Sequence, residues 1–292
     1  MDTILQQLMN GLAVGAVYSL IALGFTMVYG VLRIVHFAHG SVYMMGAFFG
    51  LTVGKLTGVN ILVSMPIAMI GAAILGVAIE RVAFKPLRGV DPYSGLLSSL
   101  GVAIALPVLA QMIWGTATQP YPTGIKFPTF IVAGVAINAM QLVILGLVLL
   151  FVVGLYAYVQ RTPMGMAMRA SAYNVTLTEL MGVNVDSVIR TTFIIASALA
   201  AAGGVLVSAY YDAVWPTMGF NAGIKAFTAA VVGGIGSIPG TILGGFVLGL
   251  AENLASGYIS SAMQDAIAFV ILVVVLLVKP TGLLGRDLVQ KM

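Results

Sequence analysis

Cysteine is absent from the 292 residues, which excludes disulfides, a thiol nucleophile and any cysteine-ligated metal centre and leaves the redox compartment unread. Charge is nearly as scarce. Thirteen basic and nine acidic side chains make up 8% of the chain, where a soluble domain is about one-quarter charged. Only two histidines occur, His36 and His39. Three positions apart, they can share a helix face, but without a carboxylate or a third ligand nearby they make a poor metal site. No Ser/His/Asp arrangement points to hydrolysis. The glycine-rich run Gly233-Gly-Ile-Gly-Ser-Ile-Pro-Gly240 lacks the Lys-Ser/Thr that would reach a nucleotide's phosphates and Mg²⁺, so it is not a phosphate loop.

What is there is apolar: 60% of the residues are hydrophobic and the mean hydropathy is +1.09. Asp, Glu, Lys and Arg are missing from 3–32, 34–54, 56–79, 92–125, 127–160, 191–211, 226–251 and 266–278. A hydrocarbon core about 30 Å thick takes roughly 20 apolar residues per helix. A charge at its centre costs about 2.5–3.5 kcal/mol even on the lenient insertion scale. The windows therefore read as spans and the charges as water boundaries. The fold class is an all-α polytopic membrane protein, one transmembrane domain over 1–292, with about eight spans including one broken glycine-rich segment. The spans are roughly 9–31, 37–54, 60–79, 94–114, 131–158, 191–210, the stretch 226–250, and 258–278. The N-terminus lacks the basic n-region of a cleaved signal peptide, so the first stretch is expected to remain as a helix. The pI near 9.3 reflects basic loops that flank the membrane and set topology, not affinity for nucleic acid.

Two basic loops, 80–91 and 159–190, belong in the cytoplasm by the positive-inside rule. The tail, with Lys279, Arg286 and Lys291, belongs there too. Parity then constrains 226–250, because a single crossing would put the tail outside. Pro239 and the glycines around it break a helix, and a broken hairpin that returns to the outer side restores parity. Such backbone is tolerated at membrane depth only where protein or a water-filled cavity covers it. Strict counting also places the N-terminus outside, on the slender support of Asp2.

Six Gly-x-x-x-Gly pairs fall within spans, at 11/15, 46/50, 50/54, 236/240, 240/244 and 245/249. Small residues at this spacing let helix backbones approach closely in lipid. The runs 46/50/54 and 236/240/244 line up on single helix faces. No carboxylate sits in mid-span, since Glu252 and Asp265 lie near span ends. A chain that moves a solute without one is not expected to power the movement itself. In the loop 159–190, Ala167, Ala170, Ala172, Leu177, Leu180 and Met181 form a short amphipathic helix pattern ended by Gly182. That pattern suits a helix lying on headgroups or inserted into a groove on another protein.

The segments Tyr18–Gly30, Phe37-Ala-His-Gly40 with Tyr43-Met44, Glu80–Arg88, Met164–Ala170, Leu180–Asn184, Gly223–Gly240 and Pro280–Gly285 occur in the order seen in one family. The chain resembles the LivH-type permease subunit of branched-chain amino-acid ABC importers over nearly its whole length. The pattern departs at His36, where that family usually has Asn. The resemblance implies a fold similar to the cobalamin and ribose importer permeases. It also implies a multi-pass protein of the bacterial inner membrane that carries branched-chain amino acids. The implied partners are a LivM-type second permease subunit, two cytoplasmic ABC ATPases that hold the ATP and Mg²⁺, a periplasmic amino-acid-binding protein, and membrane lipid. No cofactor is expected in this chain. Residues 170–182 match the coupling helix that docks on the ATPase, with Arg169, Asn174, Leu180 and Gly182 as its key positions and Glu179 on a solvated face.

A zwitterion entering lipid needs a polar route between helices. Tyr29, His39, Gly40, Tyr43, Gly233, Gly234, Gly236 and Ser237 are the candidate lining residues. His39 reads equally as a buried histidine bonded to a backbone carbonyl, and the two tyrosines as interfacial aromatics. Two other functions remain open: the same importer class serving urea or short amides, and a self-sufficient channel or secondary carrier. The parity argument yields a test. A single cysteine placed near Asn253 is expected to react with a membrane-impermeant thiol reagent from the outer side, and labelling only from the cytoplasm would remove the hairpin.

Overall fold

A computed structural model describes residues 2–132 and 134–285. The tail residues Arg286 and Lys291 lie outside the described residues. Eleven α-helices are present among the described residues: α1 Asp2–Leu32, α2 His39–Thr57, α3 Ile61–Ile79, α4 Pro92–Trp114, α5 Ala139–Arg161, α6 Pro163–Tyr173, α7 Val175–Leu180, α8 Val185–Tyr211, α9 Met218–Gly233, α10 Ile238–Tyr258 and α11 Gln264–Val278. Seven helical segments are long and apolar enough to cross a membrane. Among the described residues α2 and α9 are not counted with them by length and apolarity, although α2 runs from the end that holds Arg33 to the end that holds Lys55. α2 carries His39, Ser41, Tyr43, Thr52 and Lys55, too polar for a lipid-facing helix, and is buried from His39 to Phe48.

The burial gradient follows from this. Of the apolar windows in α1 and α8, 78% is buried, against 17% in α4 and 6% in the segment containing α11. α1 and α8 are therefore the central helices, and α4, α5 and α11 present apolar flanks outward. The central contacts are glycine contacts. Gly11 and Gly15 of α1 face Gly245, Gly249 and Leu250 of α10 so closely that a Cβ on Gly11 would stand 2.9 Å from the Leu250 Cα. Gly46 of α2 lies on Ala201 of α8, and Gly204 of α8 lies on the Tyr43 carbonyl. Only glycine allows this backbone approach.

The two ends of the bundle are distinct. At one end Arg33 donates to the Ala172 carbonyl at 2.6 Å, and Lys85 and Arg88 pair with Asp186 at 2.6 and 2.5 Å. Arg88 also pairs with Glu80. At the opposite end Gln6 bonds the backbone of Ala136, and Lys55 donates to Gln119 at 2.5 Å. The loops 80–91 and 159–190 thus share one end, here called the basic end.

The glycine-rich stretch reverses as parity requires. α9 ends at Gly233, Gly234 takes φ +106 and Gly236 φ +91, and α10 starts at Ile238 with Pro239 in its first turn. Gly233 abuts Gly240, Gly244 abuts Ala229, and Lys225 pairs with Glu252, so the two helices run antiparallel. α11 then returns the chain to the basic end, where Leu283 and Leu284 donate to the carbonyls of Val232 and Gly233.

Several boundaries differ from the sequence expectation: α8 begins at Val185 and α11 at Gln264, where spans were expected from 191 and 258. The strands β1 Thr129–Val132 and β2 Val135–Asn138 pair antiparallel, so the helix of the span expected at 131–158 begins at Ala139. A capping box of Asn138 and Gln141 fixes that start. Gly236 lies in the turn, not on a helix, so the 236/240/244 face reduces to 240/244. The coupling segment is two helices, because Asn174 leaves helical geometry and caps α7 through Leu177 N.

Gly204→Val would drive a side chain into the Tyr43 carbonyl. Overpacking of this kind costs about 1–3 kcal/mol, so thermal unfolding of the purified variant in detergent is expected well below that of the parent, whereas Gly146→Ala, with nothing near its Cβ, is expected to match it.

Candidate functional site

The chain reversal at 234–237 opens onto a cleft of about 90 Å³ at the basic end. Thr26, Gly30, Thr192 and Gly236 contribute to its wall, and Met168, Arg169 and Ala172 bring α6 to its mouth. Ser237 caps α10 by accepting from Gly240 N at 3.2 Å. Thr26 and Thr241 hydroxyls bond at 2.8 Å beside it, so polar side chains line an otherwise apolar contact of α1 with α10.

The nominated lining residues divide. Gly236 is exposed at the cleft and Tyr29 is half-buried. Ser237 is partly buried as a cap. His39 is 1% exposed, and its Nε2–H donates to the Ile21 carbonyl at 3.0 Å against Gly24. This geometry is that of a buried histidine tying α2 to α1. Gly40 is closed by Gly219, and Tyr43 is 2% exposed against Gly203 and Gly204. Gly233 packs on Gly240, and Gly234 on Gly285 and Thr281. Within this chain His39, Gly40, Tyr43, Gly233 and Gly234 are therefore packing positions that face no open space. His36, the departure from the family pattern, is enclosed by Phe84 and Phe193, with ring centroids at 5.1 and 5.3 Å.

The segment 159–190 presents a different surface. Tyr173, Leu177, Leu180 and Met181 are 85%, 55%, 77% and 84% exposed at the basic end. Thr178 turns inward and is buried, which fixes the side of α7 that faces out. Gly182 ends the helix at φ +83, a conformation that favours glycine. Arg169 belongs to α6 and donates to Gln160 at 2.7 Å, so it braces α6 on α5 and stands apart from the apolar face of α7. Glu179 is exposed.

One cluster was not anticipated. Glu252 lies toward the end of α10, six residues before its last, as its place in the sequence suggested, but it is only 2% exposed. Its Oε2 accepts from the Tyr18 hydroxyl at 2.8 Å and from the Lys225 ammonium at 3.1 Å. Lys225 also pairs with Asp265 at 2.9 Å and stands 5.6 Å from the Tyr18 ring centroid. Four helices, α1, α9, α10 and α11, thus meet on one charge cluster. The available signal was the spacing: Lys225 and Glu252 lie at comparable distances on either side of the break at 233–240, so folding the hairpin brings them level.

Comparison with known proteins places this arrangement. Residues 7–276 match the family model for the branched-chain amino acid transport system permease component. The chain is 42% identical, over 98% of its length and 97% of the relative's, to the high-affinity branched-chain amino acid transport system permease protein BraD of Pseudomonas aeruginosa. It is 40% identical, over the same shares, to the permease protein LivH of Escherichia coli. In fold it is similar to a chain of PsaBC from Streptococcus pneumoniae in complex with Fab, with a TM-score of 0.50, 9% identity, and coverage of 96% of this chain and 93% of that one.

Removing one partner of a buried ion pair strands the other charge at a cost of about 3–5 kcal/mol. Lys225→Met is therefore expected to lower the unfolding temperature of the purified protein sharply. Glu252→Gln in the same chain should recover most of that loss, and a double variant no better than Lys225→Met alone would show that the pair is not coupled.

Proposed function

The chain belongs to the family of permease components of branched-chain amino acid transport systems, and from that membership we propose that it is the membrane conduit of an ATP-driven importer of branched-chain amino acids. Its apolar helices make it a multi-pass membrane protein, and the bacterial inner membrane is the site at which such an importer works. The full-length identity to permease proteins of high-affinity branched-chain amino acid systems is the single observation that carries the reading.

In this proposal the energy comes from two ATPases at the basic end, which bind the ATP and Mg²⁺. The exposed face of α7, with Leu177, Leu180 and Met181, seats in a groove on an ATPase as an amphipathic helix does. A LivM-type second permease subunit covers outward-facing apolar flanks, and a periplasmic binding protein delivers solute to the opposite end. ATP binding draws the ATPases together, and α6 and α7 carry that motion as a rigid body. Because α6 forms the mouth of the cleft at Gly236, the displacement reaches the α9–α10 turn directly. Direction follows from the relative stability of inward- and outward-open states, with no chemistry in this chain.

The test is reconstitution with the co-purified partners. Leucine, isoleucine and valine are expected to accumulate in vesicles only with ATP. Uptake of urea or short amides in their place would transfer the chain to the amide branch of the same importer class, and accumulation by the chain alone would end the proposal. Leu180→Glu puts a charge on the apolar face of α7 without disturbing a buried group. It is expected to cut ATPase co-purification at least about tenfold, the scale of losing one well-packed apolar anchor.

A further inference from the structure

Between the N-terminal turns of α9 and α11, at the end opposite the basic loops, lies a second, shallow cleft of about 90 Å³. Lys225 and Asp265 stand on it, bonded to each other at 2.9 Å. Phe220, Ile224 and Phe269 supply apolar wall, and Asn221 a neutral polar group. One paired cation and anion therefore border an apolar hollow that this chain leaves unfilled.

We propose that this cleft binds a free zwitterionic amino acid with an apolar side chain, which inserts into the Lys225–Asp265 ion pair. The ligand's carboxylate takes the Lys225 ammonium, its α-ammonium takes the Asp265 carboxylate, and its side chain lies against Phe220, Ile224 and Phe269. The exchange conserves pairing: two charges separate and two arrive, so Lys225 keeps two anions beside it, Glu252 and the ligand, and the exposed Asp265 keeps a cation. An uncharged amide brings no charge to Lys225 or Asp265 and gives the pair no reason to open. The cleft therefore selects zwitterions over amides by electrostatics alone.

The cluster is built for such an exchange. Lys225 is 13% exposed and is held from behind by Glu252 at 3.1 Å, itself fixed by Tyr18. Its ammonium stays in place when Asp265 lets go. Asp265 is 58% exposed and has Lys225 as its ion-pair partner among the described residues, so it is the arm that swings. Because the ligand competes with an existing ion pair, binding is weak, as a site passed in transit requires. This inference rests on the importer reading above and names the site where its solute first meets the membrane chain.

The experiment uses the complete importer, with ATPases and binding protein, in vesicles supplied with radiolabelled leucine or alanine and ATP. Asp265→Asn keeps shape and leaves Lys225 paired with Glu252. It is expected to reduce leucine and alanine uptake alike, by about tenfold, the scale of losing a charge-assisted contact, while partner subunits still co-purify. Phe269→Ala is expected to lower the ratio of leucine to alanine uptake by about fivefold, since it removes apolar wall only. A parent importer that takes up urea and no amino acid overturns the importer reading and the site together. A parent that imports leucine while both variants match it overturns the site alone. So does an Asp265→Asn importer that fails to assemble alongside an unchanged leucine-to-alanine ratio in Phe269→Ala.

Discussion

The bundle depends on helices whose backbones touch. Lipid tails are as apolar as leucine, so no hydrophobic force drives one apolar helix onto another inside the membrane, and close van der Waals contact takes its place. Gly11 and Gly15 of α1 against Gly245 and Gly249 of α10 make such a contact, and so do Gly46 on Ala201 and Gly204 on the Tyr43 carbonyl. With α10 fixed to the most buried helices in this way, the break before it is held in one place. Gly233, Gly240 and Gly244 then fold α9 back along α10. A broken helix at membrane depth would otherwise leave backbone groups unpaired. Here the chain beyond α11 supplies donors, from Leu283 and Leu284 to Val232 and Gly233.

Two polar places survive in this apolar frame, one toward each end. The turn at 234–237 shares its cleft with α6, the helix that precedes the α7 surface to which the importer proposal assigns ATPase docking. The Lys225 cluster lies along the same hairpin toward the other end. Movement of α9 relative to α10 would therefore be felt at both. That coupling needs no chain of intermediate residues, because a single pair of helices reaches from one place to the other.

Much of this was legible from charge alone. Windows without Asp, Glu, Lys or Arg located the long helices because a buried charge is too costly to place by chance, and the basic loops fixed which ends lie together. The reversal at 233–240 followed from Pro239, the glycines and parity. What stayed hidden depended on partners distant in sequence. The pairs 11/15 and 245/249 were visible separately, yet nothing local says that they face one another. Residues from 131 on passed for the start of a span because short strands and an apolar helix turn draw on the same residues. Asn174 also makes the break between α6 and α7 by capping α7, a role that its sequence neighbours did not announce. His39 and Tyr43 were chosen for polarity, but in so compact an interior a polar side chain more often satisfies a neighbour, as His39 does at the Ile21 carbonyl.

The charge cluster has a structural consequence that glycine contacts cannot supply. Faces made of glycine and alanine are smooth, so two such helices can slide along or rotate against each other with small change in contact energy. Glu252 removes that freedom. A carboxylate 2% exposed is tolerable only with its partners in place, and those partners sit on different helices, Tyr18 on α1 and Lys225 on α9. Sliding α9 by one turn, about 5.4 Å, would carry Lys225 out of reach and leave a bare charge. A buried polar group is the best-attested device for fixing register between helices. Glycine therefore sets how near α9, α10 and α1 lie, and the Tyr18–Glu252–Lys225 contact sets the register at which they lie there.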